Sequence, residues 1–195
     1  LDAARFQSLD MAYNDFFGHE GPDGRHPVDR VAAFDRSALI EYSAENVAMI
    51  EVVRGRWNLK RDAVDRLHGN LMDSPGHRAN ILNPDVTDVA MGVVRTDKGV
   101  WITQVFLELS GSLPKPLPVR MRPGEALTMK PALKGWAFQH FDAKLPGDRY
   151  TSIPGAIPKT LSGDFELTAY GKTRGEAPGQ FYIIRLPGPA VTVDR

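Results

Sequence analysis

Ser74-Pro75-Gly76-His77 sets a histidine three residues behind a serine, at what reads as a helix start. Serine is a favoured N-cap, and proline suits the first helical position because its missing N–H has no intrahelical partner there. The same chain segment runs on through Arg78-Ala79-Asn80-Ile81-Leu82 to Asn83-Pro84, which stops the helix. Ser74 and His77 also have the residue types of a nucleophile and its base. A helix-start serine commits its oxygen to backbone amides, so capping explains Ser74 better. Arg78 suits an anion near the helix start, or an exposed salt bridge. A second histidine, His19, lies between Phe16-Phe17-Gly18 and the turn-forming Gly21-Pro22-Asp23-Gly24, and a carboxylate stands in Glu45-Asn46-Val47-Ala48.

These residues need elements to position them. Phe6, Leu9, Tyr13, Phe16 and Phe17 recur at spacings of three and four and predict a helix over 2–17 with one apolar stripe, ended by Gly18 in a left-handed conformation. Pro27 opens a short helix through Phe34. After a mixed stretch containing Glu45, Leu59, Ala63, Val64, Leu67 and Leu71 share a face of a helix over 58–72 capped by Asn58. From Val86 the pattern turns to strand: Val89–Val94, a turn at Asp97-Lys98-Gly99, and Val100–Leu107 predict a hairpin. Helices followed by strands indicate an α+β fold, helices packed on a mainly antiparallel sheet. Beyond it, apolar runs at Val119–Arg122, Leu127–Lys130, Trp136–Phe141, Phe165–Tyr170 and Phe181–Leu186, separated by Pro-Gly and Gly-rich turns, predict a small all-β domain, a sandwich or barrel.

Composition is that of an ordinary globular chain: 195 residues, 42% hydrophobic and 25% charged. Basic and acidic side chains number 24 each, so nothing points to nucleic acid as a partner. The balance hides an asymmetry. Residues 1–111 carry 12 basic and 17 acidic side chains and four prolines, whereas residues 112–195 carry 12 and 7 with eleven prolines. The change near Ser110-Gly111-Ser112-Leu113-Pro114 marks a boundary between domains 1–111 and 112–195. No cysteine is present, which excludes disulfides, thiolate metal sites and cysteine nucleophiles. No stretch reaches the apolar length of a membrane helix, and the first twenty residues hold no signal-peptide core.

His19 in Phe16–Gly24, Glu45-Asn46-Val47-Ala48 and the segment Asn70–Pro84 together resemble the bacterial branch of the CAP superfamily, the SCP-like or pathogenesis-related-1-like extracellular domains, over residues 1–110. The resemblance implies an α-β-α sandwich, a further N-terminal segment before residue 1, and a secreted, periplasmic or cell-envelope location. It also implies a cleft with two histidines and two acidic residues. His19 matches the first histidine and Glu45 the first glutamate. Trp101 stands where eukaryotic relatives place a histidine before Tyr-Thr-Gln, and the second glutamate is replaced by the neighbourhood of Ser74 and His77. The resemblance therefore carries over His19, Glu45 and His77, with Ser74 beside them, as cleft residues.

Two neutral imidazoles and a carboxylate or water suit a divalent metal such as zinc with an open coordination position, and Glu45 could then serve as general base. The alternative is a set of polar groups that hydrogen-bond within the cleft and shape the fold, with Glu45 tying loops together. Trp101, Gln104 and Phe106 lie on the strand that lines or supports the cleft, where Trp101 either narrows it or packs in the sheet. His26, His68 and His140 are surface or packing residues. Trp136, Phe138, His140, Tyr170, Phe181 and Tyr182 offer an aromatic platform for carbohydrate, although strand alternation assigns at least half of them to a core. The expected function is a binding module for a lipid, a small molecule or a cell-wall ligand. The alternatives are a metal-assisted hydrolase with His19 and His77 as ligands, and a structural partner-binding protein of the envelope.

Overall fold

The computed structural model describes residues 2–51 and 63–194. They divide into two compact units, Leu1–Val31 with Tyr42–Glu108, and Ala32–Glu41 with Leu109–Arg195. The second cut lies close to the compositional boundary at 111, while Ala32–Glu41 belongs with the later residues.

A sheet in the order β1 (Ala38–Glu51), β3 (Gly99–Ser112), β2 (Asp88–Arg95), whose residues 42–51, 99–108 and 88–95 belong to the first unit, carries helices on both faces there. The β2–β3 hairpin is antiparallel, from Asp88 opposite Leu107 to Arg95 opposite Val100, and Thr96 N–H closes its turn on the Gly99 carbonyl at 2.9 Å. Alternation then sorts the side chains. Val47 and Trp101 pack with Met11 of α1 (Asp2–Tyr13) on one face. On the other, Ala48, Ile50, Val100 and Ile102 pack with Ala63, Leu67 and Leu71 of α3 (Ala63–Asp73). This is the α-β-α layering expected for the first domain. The expected cap Asn58 and stripe residue Leu59 lie outside the described residues.

Helix α1 corrects the sequence reading. It stops at Tyr13, four residues early, because Asp15 takes the left-handed conformation (φ 55°) assigned to Gly18; a short polar side chain tolerates that region. Its buried face is Ala3, Ala4, Gln7, Ser8 and Met11, while Tyr13 is 72% and Phe17 48% exposed. The cause is Gly92 of β2. A Cβ there would lie 2.3 Å from the Ala4 carbonyl oxygen, so helix and strand backbones touch and only small residues fit between them. Ser8 Oγ donates to the Gly92 carbonyl at 3.2 Å, and its remaining bond, 2.8 Å to Thr103 Oγ1, must therefore be donated by the threonine.

The second unit holds a five-stranded sheet in the order β4 (Arg120–Met121), β9 (Phe181–Val193), β8 (Gly163–Arg174), β6 (Ala137–Leu145), β7 (Arg149–Ile153). Only β4–β9 is parallel. Its core gathers Phe141, Ile153, Phe165, Leu167 and Leu186 from the sheet with Leu113, Leu117, Leu127, Ile157 and Leu161 from loops and Leu39 from β1. The sheet is open, with β4 and β7 at its edges, and so is not the closed barrel that the sequence reading allowed. Leu127–Lys130 forms no strand; its first residue bonds the Gly155 carbonyl from a loop, at 2.8 Å. Arg36 fastens Ala32–Glu41 into this unit by donating to the carbonyls of Leu117, Pro118 and Ala190 at 2.6–2.9 Å, and burial pulls its guanidinium below the usual arginine value.

Candidate functional site

Glu45 is the centre of the first unit's polar site. It projects from β1 to the α1 face, two residues before Val47. Its carboxylate, 1% exposed, is taken up on both sides: His19 Nδ1 lies 3.0 Å from Oε1, and Arg30 Nη2 donates to Oε2 at 2.8 Å. A carboxylate only accepts, so this partner assigns the His19 proton to Nδ1 and leaves Nε2 as the outward nitrogen of a side chain 51% exposed. A half-exposed imidazole is thus oriented by a fully buried carboxylate.

Arg30 was not anticipated from sequence. It stands on α2 (Pro27–Phe34), its side chain 2% exposed, and its Nη1 donates to the carbonyls of His19 at 2.9 Å and Arg25 at 2.8 Å. One guanidinium therefore ties the carboxylate to both ends of the loop that carries His19. That loop has its own stiffening. Gly24 N–H bonds the Gly21 carbonyl at 2.9 Å, and Asp23 accepts from the Arg25 main-chain N–H and side chain, which holds its carboxyl below the ordinary 3.8. Before it, Gln7 Nε2 donates to the Gly18 carbonyl. The helix that presents Arg30 is started by Asp29, whose carboxylate reaches back to the His26 N–H at 2.9 Å, half of a capping box. His26 has this structural place, as expected.

Asn46 projects to the opposite face and builds a second network. Its amide donates to the His77 carbonyl at 3.0 Å and to Gln104 Oε1 at 3.1 Å, and its Oδ1 accepts from Asn80 Nδ2 at 2.9 Å. Gln104 Nε2 in turn lies 3.3 Å from His68 Nδ1, so His68 joins the network. These contacts fasten α4 (Pro75–Ile81) to β1 and β3 through the main chain of His77. Side chains join Glu45 to His19, whereas His77 enters the Asn46 network by its carbonyl. Among the described residues no three His, Cys, Asp or Glu side chains gather as a metal would need. The carboxylate beside His19 is already paired with Arg30.

Ser74 occupies the N-cap position with extended backbone (φ −90°, ψ 120°) and Pro75 follows it at the helix start, as expected. Its hydroxyl, however, makes no cap hydrogen bond, and its carbonyl instead accepts from Arg78 N–H at 2.8 Å. The capping role inferred for Ser74 Oγ is therefore corrected: the backbone shape and proline start this helix.

Beyond Glu45 on the α1 face, Val47 and then Met49 lead to a pocket of about 160 Å³ lined by Met11, Phe16, Phe17, Met49 and Trp101, with Asp15, Glu51 and Lys98 at its margins. Trp101 is 3% exposed and packs in the sheet while lending this pocket a wall. Phe106 is a buried sheet residue.

Residues 2–106 match the family model of CAP, the cysteine-rich secretory protein family. The chain belongs to the CAP family. This chain is also 33% identical over 110 residues to the uncharacterized protein YkwD of Bacillus subtilis (strain 168), a match covering 54% of the chain and 35% of YkwD. It thus spans about a third of the length of that curated relative. The CAP match ends before the five-stranded sheet begins. No described helix is long and apolar enough to cross a membrane.

Proposed function

We propose that this CAP domain is a secreted or envelope-associated binding module whose α1 face takes a small amphiphilic or lipid-like ligand. The observation that carries this reading is the state of Glu45: a carboxylate with both oxygens bonded and 1% exposure serves to orient its partner and is badly placed to take a proton from water. His19 is then a ring of fixed orientation at the surface. The pocket, of mixed polar and apolar lining, follows along β1 on the same face, since residues 45, 47 and 49 point the same way at about 6.5 Å per pair of residues. At about 160 Å³ it suits an acyl-chain end or a single ring and is too small for a whole lipid.

Dodecanol titration followed by calorimetry tests this. Saturable binding is expected, abolished by Met49→Asp at the pocket rim and weakened by His19→Ala. Absence of saturable binding would refute it. The metal-assisted hydrolase with His19 and His77 as ligands and Glu45 as base is the competing reading, and zinc titration separates them. Zinc heat lost in both His19→Ala and His77→Ala would favour the metal reading over the one proposed here.

A further inference from the structure

The outer face of the five-stranded sheet carries a constellation separate from the CAP domain's site. Phe141, Ala143, Leu167 and Ala169 fill the core, so alternation turns His140, Asp142, Thr168 and Tyr170 outward. Asp142 is a buried carboxylate, 5% exposed, with Oδ1 3.1 Å from His140 Nε2 and Oδ2 3.3 Å from Arg185 Nε. To reach it, Arg185 of β9 extends across β8 towards β6. Its guanidinium carbon sits 4.7 Å from the Tyr150 ring centroid and 5.2 Å from that of Tyr170, and His140 stacks on Tyr170 at 4.8 Å and 16°. The arginine is therefore fixed at Nε and flanked by two aromatic rings, yet remains 41% exposed.

Its two Nη groups take no acceptor among the described residues. Rings beside the guanidinium steer an incoming group to its edge, where two parallel N–H bonds match a carboxylate or phosphate. Because the side chain is already ordered, binding there loses little further rotamer freedom. Beneath lies Thr168, whose buried Oγ1 has no hydrogen-bond partner. The nearby acidic groups are engaged: Glu166 raises the Lys144 pKa by its charge, and Asp148 bonds Lys144 at 3.4 Å. Residues 112–195 carry five more basic than acidic side chains, which favours an anion.

We propose that Arg185 is the carboxylate receptor of a binding site for an acidic carbohydrate. Tyr150, 41% exposed, sets its ring beside the fork and carries a hydroxyl, the pairing of apolar face and polar tip that suits a sugar ring. A peptide is disfavoured there, because β6 and β8 are interior strands whose main-chain groups are occupied in their ladders.

The test is calorimetry on the full chain with trigalacturonate, its fully methyl-esterified counterpart and inorganic phosphate. Trigalacturonate should bind, and the ester should bind about tenfold or more weakly because it lacks the charged bidentate acceptor. Arg185→Lys keeps the charge and removes the fork, and should cost about tenfold or more in affinity, measured on protein shown by circular dichroism to be folded. If that variant does not fold, Tyr150→Ala replaces it and should weaken binding at least severalfold. Equal binding of acid and ester, undiminished binding by the variant, no binding of trigalacturonate, or binding of phosphate alone would each overturn the proposal.

Discussion

Arg30→Met is the sharpest test of how the CAP-domain site is held. The substitution keeps most of the side-chain volume and removes the donors to Glu45 Oε2, the His19 carbonyl and the Arg25 carbonyl. What remains is a carboxylate at 1% exposure with a single partner, His19. Removing one member of a buried ion pair costs about 3–5 kcal/mol, because the survivor stays desolvated and uncompensated. For a chain of this size that is about 6–20 °C in melting temperature, at about 2–4 °C per kcal/mol. Urea and thermal unfolding, followed by circular dichroism, measure it. The double variant Arg30→Met/Glu45→Leu should recover a large part of the loss, since an apolar pair needs no desolvation of charge. A single-variant cost below about 1 kcal/mol, or a double variant no better than the single, would refute the account of Glu45 as a carboxylate sustained by Arg30.

Three further outcomes are expected. Ser74→Ala should change stability by less than about 0.5 kcal/mol in urea unfolding, below the usual loss for a capping serine, since its hydroxyl makes no cap bond. Gly92→Ala should cost about 1–3 kcal/mol by the same assay, because the new methyl must push the α1 backbone off β2. Lys144 is held charged above the ordinary 10.5, first by the Glu166 carboxylate, opposed by burial and aided by the Asp148 hydrogen bond. A raised lysine stabilises below its unfolded value and loses that contribution as pH rises through the folded one. Unfolding curves taken above pH 10.5 should therefore show a shallower alkaline decline in Lys144→Met than in the parent protein.

Local pattern made part of this legible. The hairpin, the helix opened by Pro27 and the helix between Pro75 and Pro84 each follow from turn or stop residues that act over a few positions. The His19–Glu45 contact came from family resemblance, because residues 26 apart have no local signal of meeting. Strand β1 was missed for a physical reason. Its burial does not alternate, and Glu45 and Asn46, both buried, break the apolar pattern that marks a strand. Arg30 was missed because a charged side chain reads as surface, and only its carboxylate and two carbonyl partners allow it to be buried. The aromatic stripe of α1 misled in the opposite direction, since backbone contact at Gly92 admits alanine and serine where phenylalanine would clash. In the second unit, His140 and Tyr170 do meet on the outer face, while Phe138 packs against the core.

The adjacency of Glu45 and Asn46 has a consequence for how the chain finds its place in the sheet. Moving a strand by one residue exchanges its two faces. Such a slip in β1 would aim the carboxylate at the His77 carbonyl and the Gln104 amide oxygen, acceptor against acceptor, and would offer Arg30 a neutral amide. An apolar pattern without alternation gives little defence against that error, whereas one acid beside one amide gives a strong one. The dipeptide is a lock on strand alignment, and its order matters as much as its composition: a Glu45→Asn/Asn46→Glu exchange would preserve every atom count and set the lock against its own key.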